Sequence, residues 1–81
     1  MAQHIVPHQS YIKANTSPDD YVIQNIGKSS IFVVISDTQP ADNAPCDFVL
    51  EKYDGISSNE VIGTVWVKSS GNVDGLIGSV G

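Results

Sequence analysis

His4 and His8 stand four residues apart, a spacing that sets two imidazoles on one face of a helix for a metal ion. Pro7 and the β-branched pair Ile5-Val6 lie between them and oppose a helix, so both histidines read as solvent-exposed. Asp37, Asp42 and Asp47 recur in one segment and could offer hard oxygen ligands to calcium. They lack the alternate-residue spacing and the closing glutamate of an EF-hand, and a solvated acidic loop is expected. Cys46 is the only cysteine; as a nucleophile it would need a histidine beside it or a helix N-terminus to lower its pKa. With both histidines near the N-terminus, it reads as a partly buried structural thiol. None of the serines sits in a G-x-S-x-G elbow, and Gly75, Gly78 and Gly81 precede no helix that would hold a phosphate. Asn15-Thr16-Ser17 matches a glycosylation acceptor, which matters only in a secreted protein. No catalytic residue, cofactor or metal site is expected.

Whatever these residues do, strands must position them, because no window places apolar residues at i, i+3, i+4 and i+7. Ile31-Phe32-Val33-Val34-Ile35 is the richest β-forming run, and its two apolar faces predict a strand covered on each side. Tyr21 to Ile26 precedes it across Gly27-Lys28-Ser29-Ser30, which reads as a hairpin. The prolines and aspartates from Asp37 to Asp47 predict a surface loop leading into Phe48-Val49-Leu50-Glu51. Glu60 to Lys68 predicts a strand with Val61, Gly63, Val65 and Val67 on one face and Trp66 on the other, where Trp66 serves as a core anchor or as an interface anchor. A short strand over Ser10 to Ala14 and a closing strand over Asp74 to Val80 complete the set.

The fold expected is all-β, a small antiparallel sandwich or barrel, with an extended N-terminal arm over residues 1–9 and a single β-sandwich domain over 10–81. The expected core or subunit interface comprises Tyr21, Ile23, Ile31, Val33, Ile35, Phe48, Val65, Trp66 and Val67. Ile5 and Val6 would let the arm dock by adding a strand to a neighbour's sheet edge.

Composition narrows the function. A chain of 81 residues buries only about 60% of its unfolded surface, and one cysteine excludes an internal disulfide. Oligomerisation is the remaining route to a larger core, and a homo-oligomer is expected. Four lysines and no arginine against nine carboxylates would repel a phosphate backbone, so nucleic acid is not an expected partner. The longest apolar run is far short of a membrane helix, and no basic region followed by an apolar stretch opens the chain. A soluble protein of a reducing cytosol, without membrane partner or secretion signal, is the expectation.

Tyr21-Val-Ile-Gln-Asn-Ile-Gly, Ile31-Phe-Val-Val-Ile-Ser-Asp-Thr-Gln-Pro, Phe48-Val-Leu and Gly63-Thr-Val-Trp-Val-Lys-Ser-Ser-Gly together span about Tyr21 to Gly71. This pattern resembles small accessory structural proteins of tailed bacteriophage virions. The resemblance implies a compact β-sandwich without catalytic residues, often trimeric and attached by an N-terminal arm. Its roles would be capsid decoration (cement), a head-fibre base or a tail component. The implied partner is the major capsid protein or another virion protein, and the implied location is the virion, after synthesis in the host cytoplasm. An acidic chain suits the exterior of a shell, away from packaged DNA. An alternative is a fibre module binding a host glycan or receptor through Tyr53 and the loops Asp37 to Asp47 and Asp54 to Asn59.

Overall fold

Short apolar alternations organise the chain into eight strands and no helix over residues 2–81, which the computed structural model describes. They are β1 (Ala2–Val6), β2 (Ile12–Lys13), β3 (Val22–Asn25), β4 (Ile31–Ile35), β5 (Phe48–Leu50), β6 (Gly55–Ser57), β7 (Val65–Ser69) and β8 (Gly75–Val80). All pairings are antiparallel, in a first sheet of order β1-β8-β3-β6 and a second of order β2-β7-β4-β5. The all-β class and the sandwich read from the sequence are what the structure has.

Alternate residues of each strand face the partner sheet. The first sheet contributes Val6, Ile23, Ile56 and Ile77, and the second contributes Ile31, Val33, Leu50, Val65 and Val67, with Tyr21 closing one end. Of the residues expected in the core or a subunit interface, Tyr21, Ile23, Ile31, Val33, Val65 and Val67 are fully interior, and Ile35 packs against them from a half-buried position.

Several expectations give way. The β3–β4 hairpin does not form: β3 lies between β8 and β6 while β4 lies between β7 and β5, so the intervening turn carries the chain from one sheet to the other. Asn25 makes that crossing possible. Its buried amide nitrogen donates to the carbonyls of Ser29 and Leu50, each at 2.8 Å, and its oxygen accepts from the N–H of Gly27 at 3.0 Å. The strand expected over Glu60 to Lys68 begins only at Val65. The Ser57 carbonyl accepts from both Glu60 and Val61, and Gly63, at φ +147°, lies where a Cβ would stand 2.7 Å from Ile35 Cγ2. A second buried amide, Asn15, receives the Val65 N–H at 2.8 Å and donates to the Gly63 carbonyl at 3.0 Å, which fixes where β7 starts.

The segment expected to be an arm is a strand of the sandwich itself. Residues 2–6 pair with β8 from Ala2↔Ser79 to Val6↔Gly75, and Val6 is buried in the chain's own core. Alternation in Ile5-Val6 supplies one inward apolar residue, and Pro7, without an N–H, ends the ladder while its carbonyl accepts from Ser69. Val6 therefore serves internal packing rather than docking, whereas Ile5 points outward. Met1, also assigned to the arm, lies outside the described residues.

Candidate assembly surface

The two sheets treat their outer faces differently. Over the second sheet, the segment between β4 and β5 folds back across the strands. Tyr11 donates its hydroxyl to the Ala44 carbonyl at 3.0 Å, Trp66 Nε1 donates to the Ser36 carbonyl at 2.9 Å, and Lys68 Nζ donates to the Asp42 carbonyl. Gln39 caps the outward carbonyl of Tyr11 at 2.9 Å, and the Lys68 ammonium stands 5.3 Å from the Tyr11 ring centre. Tyr11 and Val34 are buried beneath this cover. The two apolar faces of β4 are thereby explained: one meets the first sheet and the other meets the loop.

Trp66 belongs to that outer layer and not to the core between the sheets, because it is paired with Val34 and shares the outward face of β7 with Lys68. Phe48, expected in the core or in a subunit interface, is outside the core: it sits at the β5 edge and is 40% exposed. The aspartates of the loop do not converge. Asp47 accepts from the Ile35 N–H at 2.8 Å and Asp42 offers its carbonyl to Lys68. Among the described residues, no three of His, Cys, Asp and Glu come together as a metal site.

Among the described residues, none covers the first sheet in this way. Register and alternation place Gln3, Gly78, Gln24 and Gly55 in one outward row, with Ile5 and Leu76 on one side of it and Val22, Val80 and Ser57 on the other. Ile5 is 69% exposed, Val80 55% and Val22 43%. None of the four lysines or nine carboxylates of the chain lies in β1, β3, β6 or β8, in contrast with Lys13 and Lys68 on the second sheet. An uncovered sheet face and edge, free of charge in an acidic protein, is the kind of surface that marks an interaction site.

Beside this face, β1 and β2 lie at neighbouring edges of the two sheets, and between them the sandwich opens into a cleft of about 680 Å³. Ala2 and His4 of β1 and Ile12 and Ala14 of the β2 side line it. His8 follows β1 and closes onto Asp74, its Nδ1 at 2.7 Å and its backbone N–H at 3.3 Å from Oδ1. The two histidines thus lie apart in role, His4 at the cleft and His8 clasped to the β7–β8 turn. The hydrogen bond from the His8 ring holds the Asp74 carboxyl below its ordinary range.

At the far side of the first sheet, Tyr53 is 67% exposed and adopts φ 70°. Its N–H donates to Asn25 O at 2.7 Å and its carbonyl accepts from Gln24 Nε2 at 3.1 Å, which hold this uncommon backbone in place. Lys52 Nζ stands 5.2 Å from its ring centre. Tyr53, Gln24, Asn59 and Glu60 border a shallow pocket of about 440 Å³. The Asp54 to Asn59 segment is therefore near Tyr53, while the Asp37 to Asp47 loop covers the other sheet, and the three do not form one site.

Sequence reasoning missed the interior roles of Val6, Leu50, Ile56 and Ile77, and the buried amides Asn15 and Asn25. Comparison with protein-family models, with curated proteins and with solved structures gives no match in any of the three.

Proposed function

We propose that this chain is a non-enzymatic structural protein that assembles with copies of itself and sits on the exterior of a tailed-phage virion as a capsid decoration, or cement, protein. The observation that carries the assembly part is the bare first sheet. Its strands hold no formal charge, although the chain has a net charge of −5, and among the described residues no segment covers its outer face as the β4–β5 loop covers the second sheet. Two copies that bring these sheets together meet without the Coulomb repulsion that the rest of the molecule would impose. The virion part rests on the resemblance of Tyr21 to Gly71 to accessory virion proteins and on the acidic balance, which suits an outer surface.

Its test uses particles banded on a density gradient from lysates of cells that produce the chain. The reading expects the chain on banded particles and open to added antibody. A chain confined to the soluble fraction would contradict it.

One observation favours a second reading, a glycan-binding module. Tyr53 is an exposed aromatic held at positive φ beside amide and carboxylate side chains, an arrangement suited to stacking on a sugar ring and bonding its hydroxyls. A glycan array that gives signal with the native chain and none with Tyr53→Ala would select this reading.

A further inference from the structure

We infer that two copies of this chain pair through strand β1, antiparallel about a twofold axis, and so join their first sheets into one continuous sheet. This rests on the self-assembly reading above and specifies its contact.

Each of the two sheets has two edges, and three of the four are protected in ways that keep edges from pairing. Strand β2 is two residues long, carries Lys13, and has the adjacent Tyr11 carbonyl capped by Gln39. Strand β5 is three residues long between Asp47 and Glu51, and β6 is three residues long after Asp54. Strand β1 is five residues long, has no charged residue, no proline and no bulge in its register, and exposes Ile5.

The backbone of β1 is also arranged for it. The Leu76 carbonyl accepts from Ile26 N–H at 3.1 Å, so Leu76 directs its peptide groups toward β3. Antiparallel strands alternate in this respect, so Gly75, Ile77 and Ser79 direct theirs toward β1 and bond Val6, His4 and Ala2. Gln3 and Ile5 are left with N–H and C=O groups aimed away from the sheet. Pro7, two residues on, keeps the same sense, since its carbonyl reaches Ser69 and not β8.

One register uses both free residues wholly within β1. Gln3 of one copy faces Ile5 of the other and the reverse, giving two hydrogen-bonded pairs that each exchange two bonds, with His4 opposite His4 on the axis. Centring on Ile5 would instead bring Gln3 opposite Pro7, which has no N–H to give. A second copy is the occupant the chemistry selects. The strand is self-complementary, and its freedom from charge removes the repulsion that an acidic chain would otherwise exert on its own copy. A basic partner would find no carboxylate in this strand to pair with.

Three variants and the native chain separate the outcomes, each followed by solution mass over a dilution series and by amide exchange. Gln3→Pro removes an outward N–H without touching the ladder to β8, and Ile5→Lys sets a charge on an exposed edge position. Val22→Lys charges the outer face away from β1. Native chain at twice the single-chain mass, with slow exchange at the Gln3 and Ile5 amides, is expected. Gln3→Pro and Ile5→Lys should return to single-chain mass while still unfolding cooperatively, and Val22→Lys should remain paired. Should Gln3→Pro fail to fold, Ile5→Lys and the native amide exchange decide.

An oligomer that survives both β1 variants, whether dimer or trimer, would overturn pairing through β1 and leave self-assembly standing. Dissociation by Val22→Lys alone would place the contact on the sheet face and overturn it likewise. A native chain of single mass at every concentration would overturn both this inference and the assembly reading.

Discussion

The side-chain amide of Asn25, on β3 in the first sheet, donates across 2.8 Å to the carbonyl of Leu50, on β5 in the second. The same side chain bonds Ser29 O and Gly27 N, so one buried residue satisfies three backbone groups where the chain changes sheets. Buried backbone polar groups left without partners are costly, and this crossing has no water-exposed alternative at Asn25, which is fully buried.

Asn25→Ala should therefore destabilise the fold by about 3 kcal/mol, since it orphans several backbone groups and leaves a small cavity. Asn25→Asp should be at least as damaging, because a carboxylate would face the Leu50 and Ser29 carbonyls. Urea unfolding followed by Trp66 fluorescence measures both, and a change within 0.5 kcal/mol, about the scatter of a neutral surface substitution, would contradict the role.

Gly75 opens β8 opposite Val6, and a Cβ there would stand 2.6 Å from Ile31 Cδ1 and 3.2 Å from Ser69 Oγ. Gly75→Ala should cost about 1–3 kcal/mol through overpacking. Gly71→Ala meets no atom within 4 Å but sits at φ +74°, so its cost is backbone strain alone, about 1 kcal/mol. The ordering of the two by urea midpoint checks the assignment.

Burial pushes the hydroxyls of Tyr11 and Tyr21 above the ordinary tyrosine value, helped by Cys46 and Asp47 at Tyr11 and by Glu60 at Tyr21. The folded state then holds protons that the unfolded chain releases. This stabilisation is complete below the unfolded value of about 10 and is lost as pH rises through the higher folded values. Melting temperature should fall from about pH 10 upward, and Tyr21→Phe, although it loses the bond to the Val61 carbonyl, should show a shallower fall.

Asp74 has the opposite sign. Its folded pKa is depressed, chiefly by the His8 ring hydrogen bond, so its contribution is present above the unfolded value of about 3.9 and lost as pH falls through the folded one. Asp74→Ala should lower the melting temperature at pH 7 and speed amide exchange in β1, and its difference from the native chain should shrink below about pH 4. A difference independent of pH would mean that the His8 contact plays no part.

Strand β4 was legible because its β-branched run fits a strand covered on both faces, and β8 was legible despite its glycines. The reason for one glycine was not, since it lies in a contact with Ile31, 44 positions away in the chain. Residues 1–9 look like an arm because Pro7 and two histidines dominate them, yet one inward residue, Val6, suffices to seat β1 against a sheet that already has β8. Asn15 shows in the sequence as a glycosylation match and Asn25 as one residue of an expected strand, and nothing local distinguishes such an amide from one that bonds a distant strand. The polar composition of the β4–β5 segment announced a surface loop, but which sheet it covers depends on the long-range bonds of Tyr11, Trp66 and Lys68. The charge-free first sheet was written in its strands, and became visible only once residues 2–6 were placed among them.

The most direct test of self-assembly is the solution mass of the native chain by light scattering from high to low micromolar concentration. A mass near twice the 8.6 kDa of one chain, held on dilution, is predicted. A folded species at 8.6 kDa throughout would contradict the account.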